Sequence, residues 1–315
     1  MISIATDCSG IDAPIFAMKR LGITIKHIFS SDIDKHARES IKKNCKPQHI
    51  YDNIVNSEPT HSDIYVCGFP CQSFSMAGKR LGFSDESRGN IFFECLKHIK
   101  KSKPKVFILE NVKGLLNHDN GETFKIIINS LNKLKIYNVY WKVLNSKDFG
   151  IPHNRERIFI IGIRKDAQKN PFEFPKPKPN NCKTIEFILE KSPIAAKYKF
   201  LTPFEKNTIK HHQNVYMKKG LDIFKENYII DAGASPEFSS IMKGICPCLK
   251  ATRSNYYMTK YRRKLTPREV LRLQGFPDSF KIVVSDNQIY KQAGNSITVD
   301  VLAKLIKSIL KSIKL

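Results

Sequence analysis

Two uninterrupted apolar runs limit what this chain can fold into: KVFIL at 105–109 and IFIIGI at 158–163. Neither alternates polar with apolar side chains, so neither suits a strand with one face in water. Such runs fit strands covered on both faces, which implies a mostly parallel sheet with helices packed on either side. The rest of the first half agrees. An apolar strand at 2–5 leads into the turn Cys8-Ser9-Gly10. A helical pattern follows from about Ala13 to Leu21, with Ile15, Phe16, Met18 and Leu21 available to one face. A second strand ends near Phe29-Ser30-Ser31-Asp32, a helix runs on through about Asn44, and Asp63-Ile64-Tyr65-Val66 reads as a further strand. Strand and helix alternating at this spacing predict a doubly wound α/β fold.

The regularity stops near Ile163. The proline-rich stretch PFEFPKPKP at 171–179 can be neither helix interior nor central strand, and it reads as a linker or a domain edge. Residues 166–264 show weak periodicity and carry 19 Lys and Arg against 9 Asp and Glu. Order returns at Thr266-Pro267, a helix start with proline at the first helical position and Glu269 in the first turn. At the C-terminal end, Val301, Leu302, Leu305, Ile306, Ile309 and Ile313 recur at helical spacing with lysines between them. That stripe suits core packing, and less often a membrane surface.

The whole chain has 315 residues and a formal net charge of +24. The length suits one large domain, or one domain with a smaller satellite. The charge fits a polyanionic partner, nucleic acid foremost, but a Lys-rich composition explains it equally well. No apolar run reaches the roughly 18 residues of a membrane span, and the start MISIATDCSG is not a signal peptide. The expected location is therefore intracellular, in a bacterial cytoplasm or a virus's host cell, with no membrane partner. The eight cysteines form no C-x-x-C pair, so no metal site is expected, and Cys246-Pro-Cys248 reads as structural.

Four segments carry candidate chemistry. The turn after the first strand, with Asp32 about twenty residues on, has the layout of a nucleotide-type site, although a single glycine makes the signal weak. The loop GFPCQSFSMAG at 68–78 follows the strand ending at Cys67, and its Cys71 is a loop thiol available as a nucleophile. Glu110 comes directly after KVFIL, at a strand's carboxyl end. Arg155 and Arg157, one residue apart, share a face if extended and could donate to phosphate or base oxygens.

With these residues in place, the sequence resembles the cytosine-5 DNA methyltransferases. The resemblance rests on GFPCQSFSMAG at 68–78, RGNIFFE at 88–94, ENVKGLL at 110–116, HNRERIFIIGIR at 153–164, RRKLTPREVLRLQGFPDSF at 262–280 and QAGNSITVDV at 292–301, in the family's order. It implies a Rossmann-like, S-adenosylmethionine-dependent methyltransferase fold with a small inserted target-recognition domain. The implied division is a catalytic domain at 1–165 and 282–315, a recognition domain at 166–264, and a hinge at 265–281.

The resemblance also implies roles. Cys71 stands where the family's nucleophile adds to ring carbon 6 of cytosine. Glu110 stands where the acid meets ring nitrogen 3 and the exocyclic amine, for which it must carry or share a proton. Arg157 matches the arginine that contacts the cytosine carbonyl, and Arg155 matches its neighbour. S-adenosylmethionine, leaving as S-adenosylhomocysteine, would meet the turn Cys8, Ser9, Gly10, Ile11 and Asp12, the ribose acceptor Asp32, Ile33, Asn53, Ile54, Pro70, Asn295 and Ser296. Gln72, Ser73, Ser75, Lys79 and Arg80 would face DNA, with Arg253 and Asn255 as base contacts in the recognition domain. The target base is flipped out of the duplex.

Several positions depart from the family pattern. Phe-x-Gly-x-Gly is replaced by Cys8-Ser9-Gly10-Ile11-Asp12, His153 stands where Gln is common, Asn53 where Asp is common, and Cys248 where Thr is usual. The implied partner is double-stranded DNA, bound by a monomer, with room for a cognate restriction endonuclease. Two rivals stay open: a tRNA cytosine-5 methyltransferase, which the long basic insertion argues against, and a non-catalytic cytosine- or DNA-binding relative.

Overall fold

The computed structural model describes residues 1–70, 91–178 and 182–314. The chain divides into two compact units. The first comprises Met1–Leu144, Glu156–Lys176 and Val301–Leu315, and the second Asn145–Arg155 and Pro177–Asp300. These boundaries differ from those read in the sequence. Residues 145–155 and 282–300 group with the basic region, 166–176 stays with the α/β unit, and 265–281 falls within the second unit.

The first unit is built on a seven-stranded sheet. Its strands are β1 (Ile2–Asp7), β2 (Ile25–Ser31), β3 (His49–Tyr51), β4 (Ile64–Cys67), β5 (Val106–Val112), β6 (Tyr137–Asn145) and β7 (Glu156–Arg164), in the order β3-β2-β1-β4-β5-β7-β6. The pairs β2/β3, β1/β2, β1/β4 and β4/β5 are parallel, as the apolar runs predict. Strand β7 departs from that rule: it runs antiparallel to β5, from Val106 opposite Ile163 to Val112 opposite Arg157. Gly162 is required there, because a Cβ would fall 2.0 Å from the ring of Phe107, its cross-strand partner.

The helices α1 (Ala13–Arg20), α2 (Lys35–Asn44), α3 (Ile91–Ser102) and α4 (Glu122–Asn132) follow strands of this unit. The Asp34 side chain caps α2 by accepting from His36 N–H. Buried aromatic and aliphatic side chains of β4, β5, β7, α3 and α4, among them Tyr65, Phe92, Phe107, Ile127 and Ile160, form one core. The strand order reverses between β1 and β4, which opens a crevice at their carboxyl ends where such sheets hold ligands.

The second unit contains a four-stranded antiparallel sheet in the order β11-β10-β8-β9, from β8 (Tyr228–Asp231), β9 (Ile241–Lys243), β10 (Tyr256–Met258) and β11 (Arg263–Lys264). Its helices are α5 (Pro203–Met217), α6 (Pro267–Leu273) and α7 (Asp286–Asn295). The start expected at Thr266-Pro267 is the observed one: Thr266 and Glu269 form a capping box, as Thr202 and Glu205 do for α5. The last helix, α8 (Val299–Ser312), buries Val301, Leu302, Leu305, Ile306 and Ile309, so its apolar stripe is a core stripe. Among the described residues no helix is long and apolar enough to cross a membrane.

Candidate active site

The turn after β1 is pinned to the end of β2. Ser9 N–H donates to the Ser31 carbonyl at 2.9 Å, and Ser31 N–H donates back to Ser9 Oγ at 3.0 Å. Gly10 N–H donates to Asp32 Oδ2 at 2.8 Å, while Asp34 N–H donates to Asp32 Oδ1 at 2.8 Å. Each carboxylate oxygen of Asp32 thus holds one backbone N–H and keeps lone-pair capacity for a diol. Burial pushes the Asp32 carboxyl up, against the pull of those two N–H groups. Gly10 has a φ of +57°, and a Cβ built on it would meet nothing within 4 Å, so the turn presents bare backbone to open space. Beyond β2, Ile33 is 80% exposed, an apolar side chain that the fold leaves uncovered. An acceptor for a ribose, open backbone and an apolar surface fit a nucleoside-type cofactor.

Other residues expected at this site do different work with their side chains. Asp12 is fully buried and takes a left-handed conformation at φ 58°. Its carboxylate accepts from Thr6 Oγ1 at 2.7 Å and Ser30 Oγ at 2.6 Å, with His27 Nε2 3.8 Å away. Burial raises the Asp12 carboxyl, opposed by His27 and the two hydroxyls, and burial lowers His27. Asp12 therefore faces inward, and only its backbone belongs to the turn. Ile11 and Ile54 are buried as core, and the Asn53 side chain caps the short 3-10 turn Ile54–Asn56 by accepting from Val55 N–H. Cys8 is half-buried against the core and Pro70 is exposed.

The end of β5 carries the reactive geometry. Glu110 is 7% exposed, and its Oε1 lies 3.2 Å from Arg157 Nε on the adjacent β7. Antiparallel pairing produces this meeting: Glu110 sits opposite Phe159, and Arg157 sits opposite Val112 two positions on. Arg157 Nη1 also donates to the Glu156 carbonyl at 2.8 Å, and Lys113 Nζ bridges both Glu156 oxygens at 3.0 and 3.1 Å. A nearly buried carboxyl beside a guanidinium offers complementary donors and acceptors to the polar edge of a planar base.

Two residues that the sequence reading did not single out support this arrangement. Asn111 Nδ2 donates to the Phe69 carbonyl at 2.8 Å, tying the segment after β4 to β5 beside Glu110. The signal was its place directly after the acid. Asp7, at the end of β1, accepts from Tyr65 OH at 2.8 Å and from Ser31 Oγ, with His98 Nδ1 at 3.7 Å. Burial raises the Asp7 carboxyl to about 6 and lowers His98 to about 4. The His98 ring stacks on Tyr65 at 4.3 Å.

Arg155 is a correction. It precedes β7 rather than extending it and is 2% exposed. Its guanidinium donates to the carbonyls of Leu249, Gly294 and Ser296 at 3.1, 3.0 and 2.7 Å, all within the second unit. That is a structural tie, not a contact available to a base. Arg253 Nη1 is held by the buried Asp231 carboxylate at 2.6 Å, and Lys250 Nζ reaches the same oxygen at 3.2 Å. Asn255 Oδ1 accepts from Ser254 Oγ. Asn295 is exposed, whereas Ser296 is buried with its hydroxyl donating to the Ile297 carbonyl. Cys71, Gln72, Ser73, Ser75, Lys79 and Arg80 lie outside the described residues. Among the described residues no cluster of His, Cys, Asp and Glu could hold a metal ion.

Comparison with known proteins gives these arrangements a context. The family described as C-5 cytosine-specific DNA methylase matches residues 2–311. The Type II methyltransferase M.HaeII of Haemophilus aegyptius is 40% identical over 295 residues, covering 92% of this chain and 87% of that protein. M.HpaII of Haemophilus parainfluenzae is 38% identical over 321 residues, covering 97% and 88%. Among solved structures, a Spodoptera frugiperda DNMT2 superposes with a TM-score of 0.72 at 21% identity, over 98% of this chain and 100% of that one. A putative DNA modification methyltransferase encoded within an E. coli prophage gives 0.68 at 18% identity, over 99% of each chain. At those identities the two structures speak for the fold alone.

Proposed function

The chain belongs to the C-5 cytosine-specific DNA methylase family, and from that premise we propose how its residues divide the work of methylating carbon 5 of cytosine in DNA. The observation that carries the assignment is the Glu110–Arg157 pair, 3.2 Å apart at the end of β5. Asn111 ties it to the backbone of Phe69, two residues before Cys71.

Carbon 5 of cytosine is a weak nucleophile. Addition of the Cys71 thiolate to carbon 6 gives the ring enamine character and makes carbon 5 reactive. Glu110 meets ring nitrogen 3 and the exocyclic amine, so that charge does not build up during the addition. Arg157 holds the carbonyl oxygen and keeps the base in the plane of the carboxyl. S-adenosylmethionine, the family's methyl donor, supplies when bound a methyl group on a cationic sulfur. Asp32 takes the ribose hydroxyls of that cofactor, Gly10 admits it against bare backbone, and Ile33 offers adenine an apolar surface. Once carbon 5 is methylated, loss of its proton restores the ring and expels Cys71.

The base leaves the stack to reach these groups, because in a duplex its ring faces are covered by neighbouring bases and ring nitrogen 3 is paired. The basic region 166–264 reads the target, its Lys and Arg contacting phosphates and the loop around Arg253 and Asn255 contacting base edges. The named relatives are Type II methyltransferases. That supports a modification enzyme acting on double-stranded DNA; we read it as a monomer with a cognate endonuclease of the same specificity.

Incubation with S-adenosylmethionine and mixed-sequence unmethylated DNA, followed by bisulfite sequencing, tests this reading. Protection of cytosines in one short context is the expected result. Methyl transfer to tRNA alone would overturn it. Cys71→Ser brings turnover to background, and Glu110→Gln slows methyl transfer by about 10²–10⁴-fold. Wild-type rates in either variant remove that residue from its role.

A further inference from the structure

The segment that precedes the catalytic arginine holds the loop assigned to target recognition. Cys246 N–H donates to the Pro152 carbonyl, and Asn154 N–H donates to the Cys246 carbonyl, both at 2.8 Å. His153 is fully buried, and its Nε2 accepts Leu249 N–H at 3.0 Å. Arg155 Nη1 donates to the Leu249 carbonyl at 3.1 Å. One residue of the loop is thus gripped at both of its backbone polar groups by two buried side chains of one short segment. On another side, Tyr256 OH donates to the Cys248 carbonyl at 3.0 Å and accepts Lys250 N–H at 2.8 Å. Gly294 backs the loop so closely that a Cβ would fall 2.4 Å from Ala251 N. Arg155 Nη2 spans to the carbonyls of Gly294 and Ser296. Beyond Ala251 the chain continues through Thr252, which is exposed, and Arg253, Ser254 and Asn255, which are half-buried.

We propose that His153 and Arg155 are positioning residues for sequence discrimination: by clamping the Leu249 peptide from both sides they set the register in which residues 252–255 meet base edges. The proposal rests on the reading of this loop as the recognition segment. Base-edge hydrogen bonds tolerate little displacement, so a loop free to shift loses the distinction between right and wrong bases before it loses phosphate contacts. Lysine cannot replace Arg155, because one ammonium lacks the planar fork that reaches three carbonyls in different directions. Glutamine can replace His153, since its side-chain oxygen can accept Leu249 N–H.

The test compares wild type, Arg155→Lys, His153→Leu and His153→Gln on a random-sequence duplex library with S-adenosylmethionine, read by bisulfite sequencing. Steady-state kinetics follow on the preferred site and on its single-base variants. In Arg155→Lys and His153→Leu, the ratio of kcat/KM at the preferred site to that at single-base variants falls about tenfold. KM for DNA rises by more than kcat falls. His153→Gln keeps the wild-type ratio. A merely structural role predicts loss of active protein that scales all sites alike, so an unchanged ratio in both disruptive variants overturns the proposal. If Arg155→Lys does not fold, the Leu and Gln variants of His153 decide by themselves. Wild-type protein that methylates DNA with no sequence preference overturns the recognition-loop reading, and the clamp with it.

Discussion

The two units of this protein hold their functional residues by different physics. In the first, Glu110 and Arg157 sit on strands paired over seven positions, and those strands are embedded in buried apolar side chains. In the second, the strands are two to four residues long. Its loop at 246–255 is held by directed bonds from buried polar groups, Arg155 and His153 to Leu249 and Asp231 to Arg253, and Arg263 pairs with Glu269 elsewhere in the unit. Apolar burial is non-directional and tolerates small changes of shape, whereas a buried charge that loses its partner has nothing to replace it. On the roles proposed above, the chemistry stands on the tolerant scaffold and the recognition loop on the exacting one. Target preference can then change through a few polar residues while the reactive pair stays in place.

The sharpest way to break this contrast is Arg263→Met. Arg263 makes two bonds of 2.7 Å to Glu269, which is fully buried. Removing the guanidinium leaves that buried carboxylate with only the N–H groups of Thr266 and Glu190, and costs about 3–5 kcal/mol in urea unfolding. The double change with Glu269→Gln, which removes the buried charge but keeps an oxygen to accept Thr266 N–H, costs less than the single one. Equal losses would mean that shape rather than charge pairing holds this unit.

A second test probes the polar exception within the first unit. Asp7 has its folded pKa raised to about 6, so its contribution is present at low pH and is lost as pH rises from about 4 to 6. His98 has its folded pKa lowered to about 4, so its contribution is present above about 6.5 and is lost as pH falls to about 4. The two slopes oppose each other across the same window. His98→Gln leaves a stability that falls with rising pH between 4 and 6, and Asp7→Asn leaves one that rises. Each change is on the order of 3 kcal/mol across the window. Flat urea midpoints between pH 4 and 6.5 in both variants would refute the burial shifts of the two groups.

The smallest effect belongs to the tolerant scaffold. Ile160→Val, in the core beside β5, should cost only about 0.5–1.5 kcal/mol and leave the context of methylation unchanged. A shift in sequence preference from this substitution would show that the two kinds of support are not separate.

Much of the first unit was legible in the residues. KVFIL and IFIIGI read as covered strands because a two-sided apolar run has few other uses. Thr266-Pro267 with Glu269 read as a helix start because capping is local chemistry. Asp32 and Glu110 could be placed at strand ends from pattern alone. The orientation of Asp12 could not, since it depends on Thr6 and Ser30 arriving from neighbouring strands to receive a carboxylate where the family commonly has glycine.

The sequence by itself therefore determined the fold class, the family, and the kinds of side chain available for the chemistry, because these follow from local periodicity and from motifs of adjacent residues. Only the tertiary structure decided which partners each of two arginines takes. Arg155 and Arg157 are the same residue type two positions apart. Arg157 meets Glu110 because β7 lies antiparallel against β5, and Arg155 turns to carbonyls as far as 141 positions along the chain. Hydrogen bonds across such separations leave no periodic trace in a sequence, since they depend on where folding brings the partners and not on the spacing between them.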